Sequence, residues 1–350
     1  MVPEEIDEGI MDSHLIRLRF KDHAVDPSFM ALLIDKGHYV REQIVSGSKG
    51  TIMNGLNSSI IKEVWVGLPD LTTQRRITKY VGEQTAKIDR LMDLRRRQMA
   101  LLKEQRAALI QQAVTRGLNP DVPMKDSGLP WLGEIPKHWK VYRIAIAVIK
   151  NTNGFVGPTR DILVDDGVRY LQSLHIKAGQ IRFDKPYFVS KEWSHAHSKS
   201  ILQEGDVLVV QTGDVGQVAA VPKKFEGCNC HALIILRIRP SLGNGFYLAV
   251  LFNSHFGKQA LMRETTGALL PHLECGKIRD IRLPFPPAEE QEQILEFIRG
   301  EDIKLETIHS SYARQLNLLA EYRAALIHES VTGQRPVPEP SSQEANAHAL

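Results

Sequence analysis

QRRITKYVGEQTAKIDRLMDLRRRQMALLKEQRAALIQQAVT, residues 74–115, returns as QEQILEFIRGEDIKLETIHSSYARQLNLLAEYRAALIHESVT at residues 291–332. The two stretches align without a gap at an offset of 217, with 15 of 42 positions identical, against roughly 2 or 3 for unrelated sequences of average composition. The chain is therefore internally duplicated. Neither stretch contains proline, and apolar residues recur at spacings of three and four: Ile77, Val81, Ile88, Leu91, Leu102 and Leu109 in the first, Ile294, Ile298, Leu305, Ile308, Tyr312, Leu319, Tyr322 and Leu326 in the second. That is the heptad pattern of a long helix seeking a helical partner.

Each helix would run about 60 Å at 1.5 Å per residue, longer than one globular core needs, so the other copy is the natural partner. Charge agrees. Residues 74–118 carry 11 Lys/Arg against 4 Asp/Glu, whereas residues 288–335 carry 5 against 9, and opposite signs favour pairing one copy with the other over self-pairing. The expected fold class is α+β: domains with a mainly β core, joined by two long helices forming an antiparallel coiled coil, with a 217-residue internal repeat.

The duplication extends beyond the helices. Phe29 aligns with Phe246, Gly50 with Gly267, Leu56 with Leu273, Ile61 with Ile278 and Pro69 with Pro286, so residues 1–67 resemble 218–284. Residues 1–67 read as the C-terminal remnant of a first globular domain, 68–118 as the first long helix, 119–285 as a complete second domain, 286–335 as the second long helix, and 336–350 as a Pro- and Ser-containing disordered tail. The first repeat lacks counterparts of roughly residues 141–217, which implies an N-terminally shortened two-unit protein whose remnant exposes an unpaired sheet edge.

Within the second domain, GVRYL (167–171), QIRF (180–183), DVLVV (206–210) and LIILRI (233–238) are β-type runs between turn residues. A single helix is expected over about 246–264, then a Thr265-Thr266-Gly267 loop, an edge strand DIRL (280–283) and a stiff PFPP joint (284–287). Trp131 and Trp139, in the connector SGLPWLGEIPKHWKVYRI (127–144), are expected to dock it against the domain.

Of the 350 residues 43% are hydrophobic and 24% charged, with a net charge of +3, the composition of an ordinary soluble chain. The acidic start MVPEEIDEGIMD is unlike a signal peptide and no run is long enough to span a bilayer, so a cytoplasmic, membrane-independent protein is expected. Residues 119–285 carry 21 Lys/Arg and 15 Asp/Glu, a basic excess suited to a polyanion. Cys228, Cys230, His231, His272 and Cys275 raise the question of zinc, but Cys230, His272 and Cys275 correspond to Ser13, Gly55 and Ser58 in the first repeat. Core packing of small thiols is the better reading, and no metal or cofactor is expected. No phosphate loop, His-Glu-x-x-His, nucleophile elbow or dinucleotide fingerprint is present, so no catalytic residue is assigned.

The most distinctive local pattern is LQEGDVLVVQTGDVGQVA (202–219), in which a buried strand delivers a glycine-bearing loop. Glycine permits close backbone approach, and Gln211, Thr212 and Gln217 have the length and polarity to reach base edges or phosphates. The competing reading is a plain β-turn.

A connector SGLPWLGEIPKHW, then YLQSLHIKAGQI, then LQEGDVLVVQTGDVGQVA, a Thr-Gly loop and LPFPPAEEQEQI opening a long helix, all in a duplicated frame, resemble the specificity (S) subunit of Type I restriction-modification enzymes. The resemblance covers the chain apart from its tail. It implies target-recognition domains that each read one half of a split DNA sequence, and paired helices that space the domains and carry two methyltransferase (M) subunits, with restriction (R) subunits completing the complex. It also implies a non-catalytic subunit. DNA-contact candidates are then Gln211, Thr212, Gln217, Thr265 and Thr266, with Lys177, Arg182 and His272 in support; M subunits would dock on the exposed helix faces and the RAALI repeats. With one intact domain, DNA reading would require a homodimer or a separately made missing fragment. The rival expectation is a coiled-coil adaptor that binds protein and not DNA.

Overall fold

The computed structural model describes residues 16–20, 23–48, 58–267 and 271–339. It divides into two compact units, Met1–Ala100 with Ile308–Leu350, and Leu101–Thr307. Both long helices, Leu71–Arg116 and Ala288–Val331, contribute to both units.

The first helix starts where Asp70 accepts a hydrogen bond from the Thr73 main chain at 2.9 Å, a contact that holds the Asp70 carboxyl below its ordinary range. Pro286 and Pro287 precede the second helix, preventing its extension backwards. Gly117 at φ 78° and Gly333 at φ 75° end them in the left-handed conformation that glycine adopts without a Cβ penalty.

The helices run antiparallel. In the first unit Ile77 and Val81 share a core with Ile327 and Val331, Arg323 grips Asp89 through two bonds of 2.9 and 3.2 Å, and the Arg95 guanidinium lies 4.9 Å from the Tyr312 ring centre. In the second unit Arg106 grips Asp302 at 2.5 and 2.9 Å. Arg106 and Arg323 are repeat equivalents, 217 residues apart. The continuous apolar seam expected from the heptads is interrupted: Leu91, Ile308 and Tyr322 are 39, 37 and 49% exposed. Between the apolar patches, long cationic side chains bridge the helices instead.

The second unit contains an antiparallel sheet in the order Val218–Ala220, Val207–Val210, Leu233–Ile238, Val148–Asn153. All four residues of Val207–Val210 are buried because both faces are covered. Val207 and Val209 pack with Tyr247, Leu251 and Phe252, while Leu208 and Val210 pack with Leu171, Ile176, Leu202 and Cys230. Cys228 and Cys230 belong to this apolar core, and burial pushes both thiols up, Cys228 to about 11. Trp139 is fully buried and its indole donates to Glu290 at 3.0 Å; Trp131 stays on the surface beneath Arg263.

Two expectations are corrected. The helix read as one over 246–264 is two, Gly245–Asn253 and His255–Arg263. Ser254, at ψ 162°, leaves the helix and caps the next by accepting from the Gly257 main chain, a local bond that competes with helical continuation. The edge strand is Arg282–Phe285, shifted past the single turn Lys277–Asp280, so Pro284 and Phe285 lie within the strand, antiparallel to Lys140–Arg143.

The first unit has the short helices Pro27–Lys36, His38–Ser48 and Ser58–Lys62 and no strand among its described residues. Pro27–Lys36 corresponds to Gly245–Asn253, but at an offset of 218: the caps Asp26 and Asn244 each accept from the main chain of the following turn. Phe29 therefore matches Tyr247 in place of Phe246. The alignments of Gly50 and Leu56, and the tail from residue 340, lie outside the described residues.

The duplication is clearest at two buried glutamines. Gln74 accepts from the Asp26 main chain and donates to the carbonyls of Ala24 and Pro69. Gln291 accepts from Asn244 and donates to Leu242 and Pro286 in the same way. Each side chain thus satisfies three main-chain groups that would otherwise be stranded, at roughly 1–3 kcal/mol for each group. The substitution Gln291→Leu is expected to lower stability by about 2 kcal/mol or more, measured by urea denaturation followed at Trp139; an unchanged midpoint would show that water replaces the amide.

Candidate nucleic-acid interface

The strand Val207–Val210 is anchored by a charge at its start. Asp206 is completely buried and pairs with Arg237 on the neighbouring strand at 2.6 and 2.8 Å, and this bond raises the Arg237 guanidinium pKa further. A buried ion pair contributes little net stability but breaking it is costly, so it fixes the strand register. Lys150, partly buried beside Arg237, is pushed down by that burial and by the neighbouring guanidinium. Sequence reasoning misses this charged pair; its only trace is an aspartate opening an otherwise apolar run.

At the far end the strand delivers the loop 211–217, in which Gly213 and Gly216 take φ 83° and 84°. A second loop meets it. The short strands Thr265–Thr266 and His272–Leu273 pair antiparallel, Leu273 donates its main-chain N–H to the Gln211 carbonyl at 2.9 Å, and Thr212 forms a β-bridge with His272. The Thr212 hydroxyl lies 2.9 Å from His272 Nδ1. Gln211, Thr212, Thr265, Thr266 and His272 are thereby assembled from two segments more than fifty residues apart.

Their roles differ. Gln211 is buried, 6% exposed, and supports the junction through its main chain. Thr265 is half-buried and spends its hydroxyl on the Met262 carbonyl, whereas Thr212 and Thr266 are exposed. Gln217 faces another way: its side-chain oxygen accepts from the Ala178 main chain at 3.3 Å, connecting it to the hairpin Ile176–Lys177 and Gln180–Ile181. Exposed Lys177 sits on this hairpin and exposed Arg182 follows it. The eight candidates thus form two clusters, and no hydrogen bond joins one cluster to the other among the described residues.

Beside Gln217 and the hairpin opens a cleft of about 890 Å³ bounded by Arg106, Lys224, Lys258 and Arg299, with Asp302 as its acidic member. Four cations against one carboxylate give this surface a positive potential suited to anionic partners.

His175 holds the hairpin in place. Fully buried, it accepts from the Gln172 main chain through Nδ1 at 2.8 Å and lies 2.7 Å from the Lys185 carbonyl through Nε2. That pairing requires the neutral ring with its proton on Nε2. Its own carbonyl accepts from Arg182 N–H. Burial, the largest influence, lowers its pKa below the ordinary 6.5. In the unfolded chain the ring protonates more readily, so its contribution to stability is complete above about pH 6.5 and lost as pH falls below it. Stability of the second unit should decline from pH 7 to 5 with a component removed by His175→Gln; an identical slope in the variant would contradict this.

A family model for the Type I restriction modification DNA specificity domain matches residues 137–311. The MjaVIII specificity subunit of a Type I restriction enzyme from Methanocaldococcus jannaschii is 20% identical over 306 residues, spanning 85% of this chain and 69% of that protein. The EcoBI specificity subunit from Escherichia coli is 23% identical over 326 residues, spanning 88% and 67%. The chain thus spans about two thirds of the length of these curated relatives. Among solved structures, a chain from work on complex assembly and conformational transition of the type I R-M system superposes with a TM-score of 0.68 at 16% identity, covering 90% of this chain and 73% of that one. The HsdS subunit from Thermoanaerobacter tengcongensis gives 0.55 at 17% identity, covering 89% and 71%.

Proposed function

This chain belongs to the Type I restriction-modification DNA specificity family, and we propose that its second unit, built on the domain at 119–285, reads one part of a bipartite DNA target. The reading is carried by the convergence of the 211–217 and 265–273 loops at the Thr212–His272 contact. Two threonine hydroxyls and an imidazole, carried by the loop after the buried strand Val207–Val210 and by the hairpin bridged to it, provide donors and acceptors suited to base edges in a groove. Gln211 positions them. Lys177, Arg182 and the cationic cleft beside Gln217 supply the sequence-blind attraction to phosphates that orients a duplex.

In this reading residues 1–67 belong to the domain for the other half-target, and the helices at 68–118 and 286–335 set the spacing, since duplex DNA rises about 3.4 Å per base pair. The chain performs no chemistry itself and presents DNA to methyltransferase and restriction subunits. Leu101 and Leu318, repeat equivalents 217 residues apart, are 62 and 54% exposed. A large apolar side chain left in water at the same place in each repeat is suited to seating two copies of one partner.

The test is selection of duplexes from a random library, followed by affinity measurements on the enriched sequence at two salt concentrations. Thr212→Val and His272→Ala should weaken enriched DNA about tenfold, within the roughly 1–3 kcal/mol typical of a base contact, and leave bulk DNA unaffected. Lys177→Ala and Arg182→Ala should weaken both and flatten the salt dependence. No enrichment and no salt-sensitive binding would leave the adaptor reading in its place. For the helices, Leu101→Asp and Leu318→Asp should each remove one of two methyltransferase subunits from the assembled complex, read by native mass spectrometry; a full complement in the double variant would place docking elsewhere.

A further inference from the structure

The strand Val148–Asn153 lies at one edge of its four-stranded sheet and ends level with the strand that delivers the 211–217 loop. Asn153 faces Ile234, and Gly154 donates its N–H to the Leu233 carbonyl at 2.8 Å. On its other side Leu233 pairs with Val210. The next pair would set Ala232 against Gln211. Ala232 instead turns out of the sheet at φ 45°, in the left-handed region that a residue with a Cβ adopts only under strain, and the Gln211 carbonyl accepts from Leu273 in its place. Three segments therefore meet at this end of the sheet: 154–160, 211–217 and the strand His272–Leu273.

The first of them is fixed in position. Phe155 donates its N–H to the Cys230 carbonyl and accepts from the Ala232 main chain, both at 2.9 Å. Its ring stands edge-on to Trp193 and His197, 5.0 and 5.1 Å from their centres, and those two rings stack on each other at 3.9 Å. Gly157 lies against the same ring, where a Cβ would fall 2.7 Å from Phe155 Cζ. Between these two anchored positions Val156 is 66% exposed. A slack loop could fold an apolar side chain away from water; this one holds its isopropyl group in solvent, where it adds nothing to the core.

We propose that Val156 reads the C5 methyl group of a thymine in the groove that Thr212 and His272 face. The inference rests on the DNA reading proposed above and adds a chemical identity for one base. Neighbouring strands lie about 4.8 Å apart, so Val210 and Gly154, two strands apart, are separated by about 10 Å. That span fits within a major groove about 12 Å wide. An isopropyl group neither donates nor accepts a hydrogen bond, and the thymine methyl is the one apolar group that base pairs present in that groove. The polar contacts of Thr212 and His272 and the apolar contact of Val156 thus fall on one duplex from a single rigid edge.

The test uses the full chain and the duplex enriched from the random library, in which thymine is the only base bearing a methyl group. Each thymine is replaced in turn by deoxyuridine, which removes the methyl and keeps the base pairing. At one position the replacement should weaken binding about fourfold, the scale of one methyl group returned to water. Val156→Ala should weaken the thymine duplex to the same extent and lose nothing further to deoxyuridine at that position. Gly157→Ala, which presses a methyl group onto the Phe155 ring and displaces the loop, should also reduce the thymine preference. The proposal is overturned if the enriched duplex contains no thymine, if no thymine is sensitive to loss of its methyl, or if Val156→Ala keeps the full sensitivity. An enriched duplex that responds to Thr212→Val and not to Val156→Ala removes Val156 alone from the reading surface, whereas the absence of any enriched duplex removes the DNA reading and this inference with it.

Discussion

Everything in the molecule is built upon the antiparallel pairing of two helices that cannot bury their apolar stripes alone. Stability and register come from different contacts along that pairing. Apolar patches supply the first: Ile77 and Val81 with Ile327 and Val331 in one unit, and Ala113, Val114, Ile294 and Ile298 in the core of the other. The grips of Arg323 on Asp89 and of Arg106 on Asp302 involve side chains 35–50% exposed, and such pairs are worth at most about 1 kcal/mol each. Their bidentate geometry is directional, however, and specifies which turn faces which. The same arginine of the repeat performs this task in each unit.

The helices are legible in sequence because apolar residues spaced alternately by three and four over some forty positions suit a paired helix and little else, and their partnership is legible because the charges of the two copies are opposite. The buried strand 207–210 is legible from four consecutive aliphatic residues. What escapes is set by contacts distant in sequence. Nothing around Ser254 distinguishes an exposed serine inside a helix from one that ends it; the decision lies in the cap it gives Gly257. Asp206 looks like a turn residue because Arg237, which makes its burial tolerable, is thirty-one positions away. At the candidate interface, the residue types are readable but their grouping is not: that Thr212 meets His272 follows from a β-bridge, and that Gln217 faces the 176–181 hairpin from a side-chain bond to Ala178.

Comparison of the two copies separates what the long helix demands of its domain from what the domain does by itself. Gln74 and Gln291 keep the same three bonds although the two units differ elsewhere in their described residues, because the helix start and the preceding short helix must be joined wherever the unit is used. The described residues of the first unit do not share the sheet in this way. Residues 16–20, IRLRF, alternate apolar and basic side chains as a strand with one buried face would, but a strand's hydrogen bonds come from its neighbours, and pattern alone does not make one. Arg19 corresponds to Arg237 at the 218 offset, and it lies exposed, whereas its counterpart grips a buried carboxylate.

The complete burial of Val207–Val210 on both faces separates folding from the loop surface to which the proposed function assigns recognition. A strand sandwiched between two apolar layers derives its position from aliphatic packing and one ion pair, and the exposed side chains of the loop at its end lie outside that packing. Exchanging Thr212, Thr266 or His272 for other polar residues therefore costs the domain little, and variation at these positions is tolerated by selection for stability. In the proposed reading this makes the architecture evolvable: new sequence preferences are within reach of a few substitutions, while the scaffold beneath them remains unaltered.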